Sequence, residues 1–187
     1  CIGLLGLGAC LAVDPAPSPE AETRQVHGPV VYGDDDRLEY YELDEDGQRA
    51  MRAAVTFMFT SSIDDSDPAA FAFDADSLAE DDDVCTDEAF AYQPTASECS
   101  AFLSDERYVA TAGHCIDSAD ACPREVFVFG YHYVAPGVFE TVTAEDVYAC
   151  RRVVAYDDPD VRGGVADFAV IELDRPVTSA EPLPVSL

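Results

Sequence analysis

Six short stretches of the chain are rich in β-branched and aromatic residues, and segments with acidic residues, proline or glycine separate them. Runs of this length and composition, bounded by turn-forming residues, are typical of β-strands. Residues 38–51, before the first stretch, form a polar connection with some helical character. The pattern therefore predicts an all-β protein. The predicted strands are residues 52–60, 99–103, 107–111, 125–134, 146–156 and 166–173.

The second and third predicted strands form a hairpin that ends in a histidine. The segment from Cys99 to Cys115 is CSAFLSDERYVATAGHC, in which the small residues Ala112 and Gly113 precede His114. Two cysteines that bracket a hairpin at this separation can close a loop, which stabilises the fold by about 3 kcal/mol. Because Cys115 follows the histidine directly, such a bond would fix the backbone that presents the imidazole. A lone histidine is more often structural or solvated, but this placement favours a catalytic base.

The excess of acidic residues excludes some classes of binding partner. The chain carries 38 acidic and 10 basic residues, for a formal net charge of -28, and all of the basic residues are arginine. Nucleic acids and anionic membrane surfaces would be repelled by such a protein. The composition therefore predicts a soluble, heavily hydrated surface with neither of these partners.

The seven cysteines point to an exported protein. None of them forms a C-x-x-C pair, so a zinc ribbon or a redox motif is not expected, and disulfides in an oxidising compartment explain the count better. Cys122 and Cys150 lie at the edge of one predicted strand and inside the next, and are plausible partners. Cys85 has no obvious partner.

The beginning of the chain also indicates export. Residues 1–13 are small and apolar, like the end of a signal peptide, and are too short to span a membrane. The sequence Leu-Gly-Ala-Cys ending at Cys10 resembles a bacterial lipobox, which would attach a lipid to that cysteine, and ordinary signal cleavage is the alternative. Residues 14–29 are rich in proline and acidic residues and are predicted to be a tether or pro-segment. We therefore expect a secreted or cell-envelope protein.

The remaining polar features have simpler interpretations. His27 is interpreted as a solvated linker residue and His132 as a structural residue on one face of its strand. Residues 61–98 form an acidic insertion whose aspartate runs lack the spacing of an EF-hand calcium loop. The insertion is therefore predicted to be a solvated loop, and no metal site is expected.

Two motifs resemble the trypsin-like (chymotrypsin-fold) serine peptidases. In that family the general-base histidine lies in a Thr-Ala-Ala/Gly-His-Cys motif closed by a disulfide to a cysteine one hairpin earlier, which matches His114, Cys115 and Cys99. The Thr-Ala-Gly-His-Cys form looks most like the bacterial branch with the glutamyl endopeptidases. The strand that opens at Asp167, ADFAVIELDRP, is similar to the family segment in which an aspartate orients that histidine. Residues 30–37 also resemble the mature N-terminus of glutamyl endopeptidases.

The resemblance implies a secreted serine endopeptidase with a Ser-His-Asp triad, a protein or peptide substrate and no cofactor. Its fold would be the first six-stranded Greek-key barrel of a two-barrel structure, over residues 30–187, with the second barrel absent from this chain. None of the serines lies in a G-D-S-G-G or G-x-S-x-G setting. We therefore expect the nucleophile beyond Leu187 and the chain to be an inactive fragment.

Two other functions compete with the peptidase. A relative that kept the barrel and lost the nucleophile would be a binding or scaffold protein, although retention of both His114 and Asp167 argues against it. An acidic, calcium-binding surface protein is the third hypothesis. The preferred substrate does not follow from the sequence, because the pocket that selects it is missing.

Overall fold

The computed structural model describes residues 36–82, 84–116, 122–158 and 166–184 of the 187-residue chain. The predicted signal segment, the tether, Cys10 and His27 lie outside these ranges. The chain divides into two compact units, one of Cys1–Arg37 with Ser77–Gln93 and one of Leu38–Asp76 with Pro94–Leu187.

The secondary structure of the described residues is mostly β. No helix in these ranges is long and apolar enough to cross a membrane. The helices are α1 (Glu45–Arg52) and α2 (Leu78–Asp81), and the strands are β1 (Ala54–Phe59), β2 (Ile63–Asp64), β3 (Ala72–Phe73), β4 (Cys99–Asp105), β5 (Tyr108–Thr111), β6 (Glu125–Val128), β7 (Tyr133–Ala135), β8 (Val138–Phe139), β9 (Val147–Asp157) and β10 (Phe168–Leu173).

Six of these strands close into an antiparallel barrel in the order β1-β4-β5-β10-β9-β6. The hairpin β4–β5 pairs Leu103 with Val109, and the last strand then pairs Ile171 with the same Val109. Because β10 lies between β5 and β9, the chain crosses over rather than winding from each strand to its sequence neighbour. The predicted six-stranded barrel is confirmed.

Side chains that alternate along the strands between the two faces of the sheet fill the barrel interior. On β4 the side chains of Ala101 and Leu103 are buried, while Phe102 between them is exposed. The same period of two holds in β10 from Phe168 to Ile171, as expected of a strand with one face on the core, and ends where Glu172 is also buried. A second apolar cluster around Met58, together with Val128, includes the aromatic side chains near β3 and β8. The largest fully buried side chains of the main core cluster are Phe57, Phe127, Leu103, Ile116, Ile171, Leu173 and Val109.

Two predictions about the elements are wrong. Residues 125–134 are not one strand, because β6 ends at Val128 and Gly130 then adopts a φ of 76°, which turns the chain away. A separate hairpin, β7–β8, follows, and His132 lies in the bend before it rather than on a strand. The insertion 61–98 is not wholly loop, since it contains β2, β3 and α2.

The smaller unit is organised around α2. Ser77 caps this helix, and its hydroxyl lies 2.7 Å from the Glu80 carboxylate, in a capping box. The backbone N–H of Ala79 donates to the carbonyl of Ala91, which fastens the helix to the segment that ends this unit. The guanidinium of Arg37 lies 4.9 Å from the centre of the Phe90 ring.

Candidate active site

His114 is presented by a tight turn at the end of the β4–β5 hairpin. Strand β5 ends at Thr111, and residues Gly113–Cys115 form a single 3-10 turn. The Cys99–Cys115 disulfide joins this turn to the beginning of β4, with the two Cα atoms 6.2 Å apart. The residue after the histidine is therefore attached covalently to a barrel strand, which restricts the backbone that carries the imidazole.

The residue before the histidine has to be glycine. A Cβ atom added to Gly113 would overlap the backbone carbonyl oxygen of Asp157 and would lie 3.1 Å from the backbone nitrogen of Phe168. These two backbone atoms belong to β9 and β10, whose positions are set by the barrel. The close approach of the turn to these strands brings His114 to the residue directly before β10.

That residue is Asp167, and it contacts the histidine twice. The backbone N–H of His114 donates to Oδ1 of Asp167 at 3.0 Å, and the Nδ1 atom of the imidazole lies 2.7 Å from Oδ2. Both carboxylate oxygens are thereby engaged by one residue, 53 positions away in the sequence. The two contacts fix the position of the imidazole and the orientation of its ring.

The hydrogen bonds also determine which protonation state the pair favours. The pKa of Asp167 is lowered, first by the hydrogen bond from the backbone N–H of His114 and then by the one from its side chain. The backbone N–H of Gly113 makes a smaller contribution. Together these hydrogen bonds outweigh the effect of burial, which alone would raise the pKa. An ionised carboxylate only accepts hydrogen bonds, so Nδ1 must carry the proton and donate it to Oδ2. The lone pair of the neutral ring is then on Nε2.

This arrangement can act as a general base that is open to a reactant. The side chains of His114 and Asp167 are 60% and 39% exposed, respectively. The Nε2 atom of the neutral imidazole can accept a proton there, and the carboxylate at Nδ1 stabilises the imidazolium that results. Across the described residues, no hydroxyl group donates to Nε2.

The same turn brings together three groups of the kind that bind metals. Ligand atoms of Cys99, His114 and Cys115 lie within 4.8 Å of one another. Both sulfur atoms are used by the disulfide and offer no thiolate, which is the form that ligates a metal. The three residues are therefore close together because the disulfide lies beside the histidine, and they do not form a metal site of three ligands.

The other predicted site residues have different surroundings. Cys122 and Cys150 form a second disulfide, which joins the turn before β6 to β9. Cys85 takes part in neither of the two disulfides. His132 is half-buried and its ring stacks on Tyr40, with the ring centres 3.9 Å apart. Burial lowers the pKa of His132, which favours its neutral form.

Sequence reasoning missed the contribution of Asp157. Besides the contact of its carbonyl with the turn at Gly113, its carboxylate accepts a hydrogen bond of 3.2 Å from the backbone N–H of Ala166, the residue before Asp167. Nothing distinguishes this aspartate from its acidic neighbours in the sequence Asp-Asp-Pro-Asp. Only the pairing of Asp157 with Phe168 across β9 and β10 identifies it.

Comparisons with known proteins gave one family match and several similar structures. A family model described as Trypsin matches residues 85–186, more than half of the chain. A mutant of human heparin binding protein aligns over 74% of this chain and 46% of its own, with 15% identity and a TM-score of 0.42. Human heparin binding protein itself aligns over 74% and 45%, with 14% identity and a TM-score of 0.42. The chain thus spans less than half the length of these structures, and no curated protein matches its sequence.

Proposed function

This chain belongs to the trypsin family, and from this membership we propose that it is the N-terminal part of a secreted serine endopeptidase. In the proposed enzyme His114 is the general base and Asp167 is the carboxylate that orients it. The substrate is a protein or peptide, and no cofactor takes part. The two barrels of the family place the reacting groups between them, and the barrel described here contributes the base and its partner.

The doubly hydrogen-bonded pair of His114 and Asp167 carries this proposal. A serine hydroxyl is a weak nucleophile at neutral pH and needs a base to accept its proton. The 2.7 Å contact between Nδ1 and Oδ2 holds the imidazole in the tautomer whose Nε2 can do this. An exposed histidine with a carboxylate at Nδ1 has no structural task in a barrel whose core is apolar, and this supports a catalytic role.

In the proposed enzyme the nucleophile is a serine outside these 187 residues. None of the serines in the sequence lies in a G-D-S-G-G or G-x-S-x-G context. The oxyanion-hole amides and the pocket that selects the substrate would accompany that serine. The proposed enzyme therefore assembles its site from the half described here and a second barrel.

The finer assignments rest on the sequence. The Thr-Ala-Gly-His-Cys motif and the resemblance of residues 30–37 to a mature N-terminus support the branch of the bacterial glutamyl endopeptidases. In the layout we propose, residues 1–13 are the end of a signal peptide, 14–29 a tether or pro-segment, and 30–187 the first barrel. The two disulfides suit an oxidising compartment, and a lipid on Cys10 would hold the protein at the cell envelope.

The experiment that tests the proposal uses the complete open reading frame. We expect the full protein to hydrolyse a casein or peptide substrate and to be labelled by a fluorophosphonate, which reacts with activated serines. Replacement of His114 by alanine should abolish both reactions, and Asp167→Asn should lower kcat on the order of 10⁴-fold, because the wrong tautomer is then favoured. His27→Ala is the matched control and should leave kcat unchanged.

Two outcomes would contradict the proposal. If the complete protein folds but neither hydrolyses substrate nor reacts with the fluorophosphonate, the barrel has a binding role instead. The same conclusion follows if His114→Ala retains the activity of the unaltered protein. The 187-residue chain alone should show no inhibitor-sensitive proteolysis, since it contains a base and its orienting carboxylate without a serine nucleophile.

A further inference from the structure

Three arginines surround one buried carboxylate on the outer face of the barrel. Glu172 of β10 is 5% exposed, although its side chain points away from the barrel interior, opposite to its buried neighbours Ile171 and Leu173. Arg151 donates to its Oε1 at 2.8 Å and Arg152 to its Oε2 at 2.6 Å. A third guanidinium, that of Arg107, lies 3.9 Å from Oε1. Arg107, Arg151 and Arg152 are called the arginine cluster below.

A β-bulge brings two consecutive arginines to the same face. Side chains of neighbouring residues in a regular strand point to opposite faces of the sheet. In the pairing of β10 with β9, Glu172 lies opposite Arg152 and Leu173 opposite Cys150, so Arg151 is an extra residue without a cross-strand partner. Such a bulge redirects a side chain. Here it aims Arg151 at the carboxylate that Arg152 already binds.

The cluster is more positive than one carboxylate requires. Among the described residues, three guanidinium groups face this one carboxylate, which leaves an excess of two positive charges in that set. Burial raises the pKa of Glu172, but the hydrogen bond from Arg152 and the charges of the arginines outweigh this and keep the carboxylate ionised. In a chain with a net charge of -28, three of the ten arginines are thus concentrated at one point.

Most N–H donors of the cluster are not used on Glu172. A guanidinium has five N–H donors, and Arg151 and Arg152 each use one of their nitrogens on Glu172. Their side chains are 55% and 59% exposed, and that of Arg107 is 33% exposed. Glu172 therefore holds the guanidinium groups in place while their remaining donors stay accessible.

We propose that the arginine cluster is a binding site for a compact, doubly charged tetrahedral oxyanion, a phosphate monoester or inorganic sulfate. Two excess charges match a dianion, and the planar donor forks of arginine suit the oxygen atoms of such groups. The overall negative charge would repel an extended polyanion. A single small anion, in contrast, contacts the arginines directly. Physiological salt largely screens its repulsion by those acidic surface residues that lie farther away than a Debye length.

The test is a titration of the full chain followed by NMR of the arginine Nε–Hε groups. Sodium sulfate, O-phosphoserine and sodium acetate are added separately at constant ionic strength. Arg49 is an internal reference, because it pairs with Asp46 at 2.8 Å and its side chain is 55% exposed, as is that of Arg151. We expect saturable shifts at Arg151 and Arg152 with sulfate and phosphoserine, and no saturable shift at Arg49.

Titrations with acetate, and with phosphoserine at several pH values, test whether the site prefers a dianion to a monoanion. Acetate carries a single charge and should bind roughly tenfold more weakly than sulfate, as expected when a charge-assisted hydrogen bond is lost. Phosphoserine should bind more weakly once the pH falls below its second pKa of about 6, whereas sulfate binding should not change there. Equal affinity for acetate and sulfate would overturn the dianion assignment.

Variants identify the residues responsible. Arg151→Gln should weaken sulfate binding by roughly tenfold, and Arg49→Gln should leave it unchanged. If Arg151→Gln fails to fold, the titration of the unaltered chain still decides, because Arg151 and Arg49 are observed in the same spectrum. Equal, non-saturating shifts at both positions would mean general charge screening and would reject the site.

Discussion

At the level of single side chains, the position of His114 depends on its neighbours Asp167, Asp157 and Gly113. Asp167 holds both the backbone and the ring of the histidine, and its own position follows from the hydrogen bond between Ala166 and Asp157. The carbonyl of Asp157 fills the space beside Gly113. The imidazole is therefore positioned by the Asp167 carboxylate together with the closely packed backbone atoms around Gly113.

Replacing Gly113 by alanine should destabilise the fold by about 1–3 kcal/mol, because the added methyl group overlaps the carbonyl oxygen of Asp157, a rigid backbone atom. Urea denaturation measures the loss. Gly137 is the matched control: it has a φ of 70° and nothing within 4 Å of an added Cβ. Gly137→Asn should cost little, since asparagine tolerates this backbone conformation. Equal stability of Gly113→Ala and the unaltered protein would disprove the overlap.

Asp167 should contribute fully to stability above its ordinary pKa of 3.8, and this contribution should be lost as the pH falls through its lowered pKa in the folded protein. Its pKa is lowered in the folded protein, so the unfolded chain binds the proton more readily and stability is lost as the pH falls below 3.8. Urea unfolding at a series of pH values, compared between Asp167→Asn and the unaltered protein, isolates this contribution. The difference should shrink toward acid pH. A difference that does not depend on pH would contradict the assignment.

At the level of secondary structure, the hairpin β4–β5 and the strand β10 act together. The hairpin carries the histidine, β10 begins directly after the aspartate, and the two are neighbours in the barrel. The disulfide between Cys99 and Cys115 closes the hairpin at its open end. On the other side of β10, the bulge in β9 brings Arg151 and Arg152 to the same carboxylate.

Removing the Cys99–Cys115 disulfide by a double alanine substitution should cost about 3 kcal/mol and loosen the turn at His114. The expected sign of loosening is faster solvent exchange of the Nδ1 proton of His114 in NMR spectra. The double alanine variant of Cys122 and Cys150 is the control, since it should lower stability similarly without accelerating this exchange. If both variants accelerate the exchange equally, the first disulfide has no particular role in holding the histidine.

The net charge of -28 is a property of the whole molecule, and it opposes folding because like charges repel in the compact state. Salt screens this repulsion, with the Debye length falling from about 30 Å at 0.01 M to about 3 Å at 1 M. We expect sodium chloride over this range to raise stability on the order of 1 kcal/mol, or Tm by about 3 °C.

The control for this salt effect is a repetition of the experiment near the isoelectric point of about 4.1. The net charge is small there, so sodium chloride should change Tm much less than at neutral pH. A similar rise in Tm under both conditions would show that salt does not act through the net charge.

Local composition was sufficient to predict the all-β class and five of the six barrel strands within two residues of their observed ends, whereas the barrel itself was expected from the family resemblance. Composition predicts strands because an alternating apolar pattern reflects burial on one face of a strand, wherever that strand lies in the fold. It failed after Val128, where Gly130 turns the chain although the surrounding side chains still favour a strand.

Only the tertiary structure brought together residues that are distant in the chain. The motifs around His114 and Asp167 named both residues in advance, but their two hydrogen bonds depend on β10 lying beside β5. The requirement for glycine at position 113, the role of Asp157 and the arginine cluster all follow from strand register and from one bulge. A sequence does not display these features, because register is set by the packing of the whole barrel rather than by any segment alone.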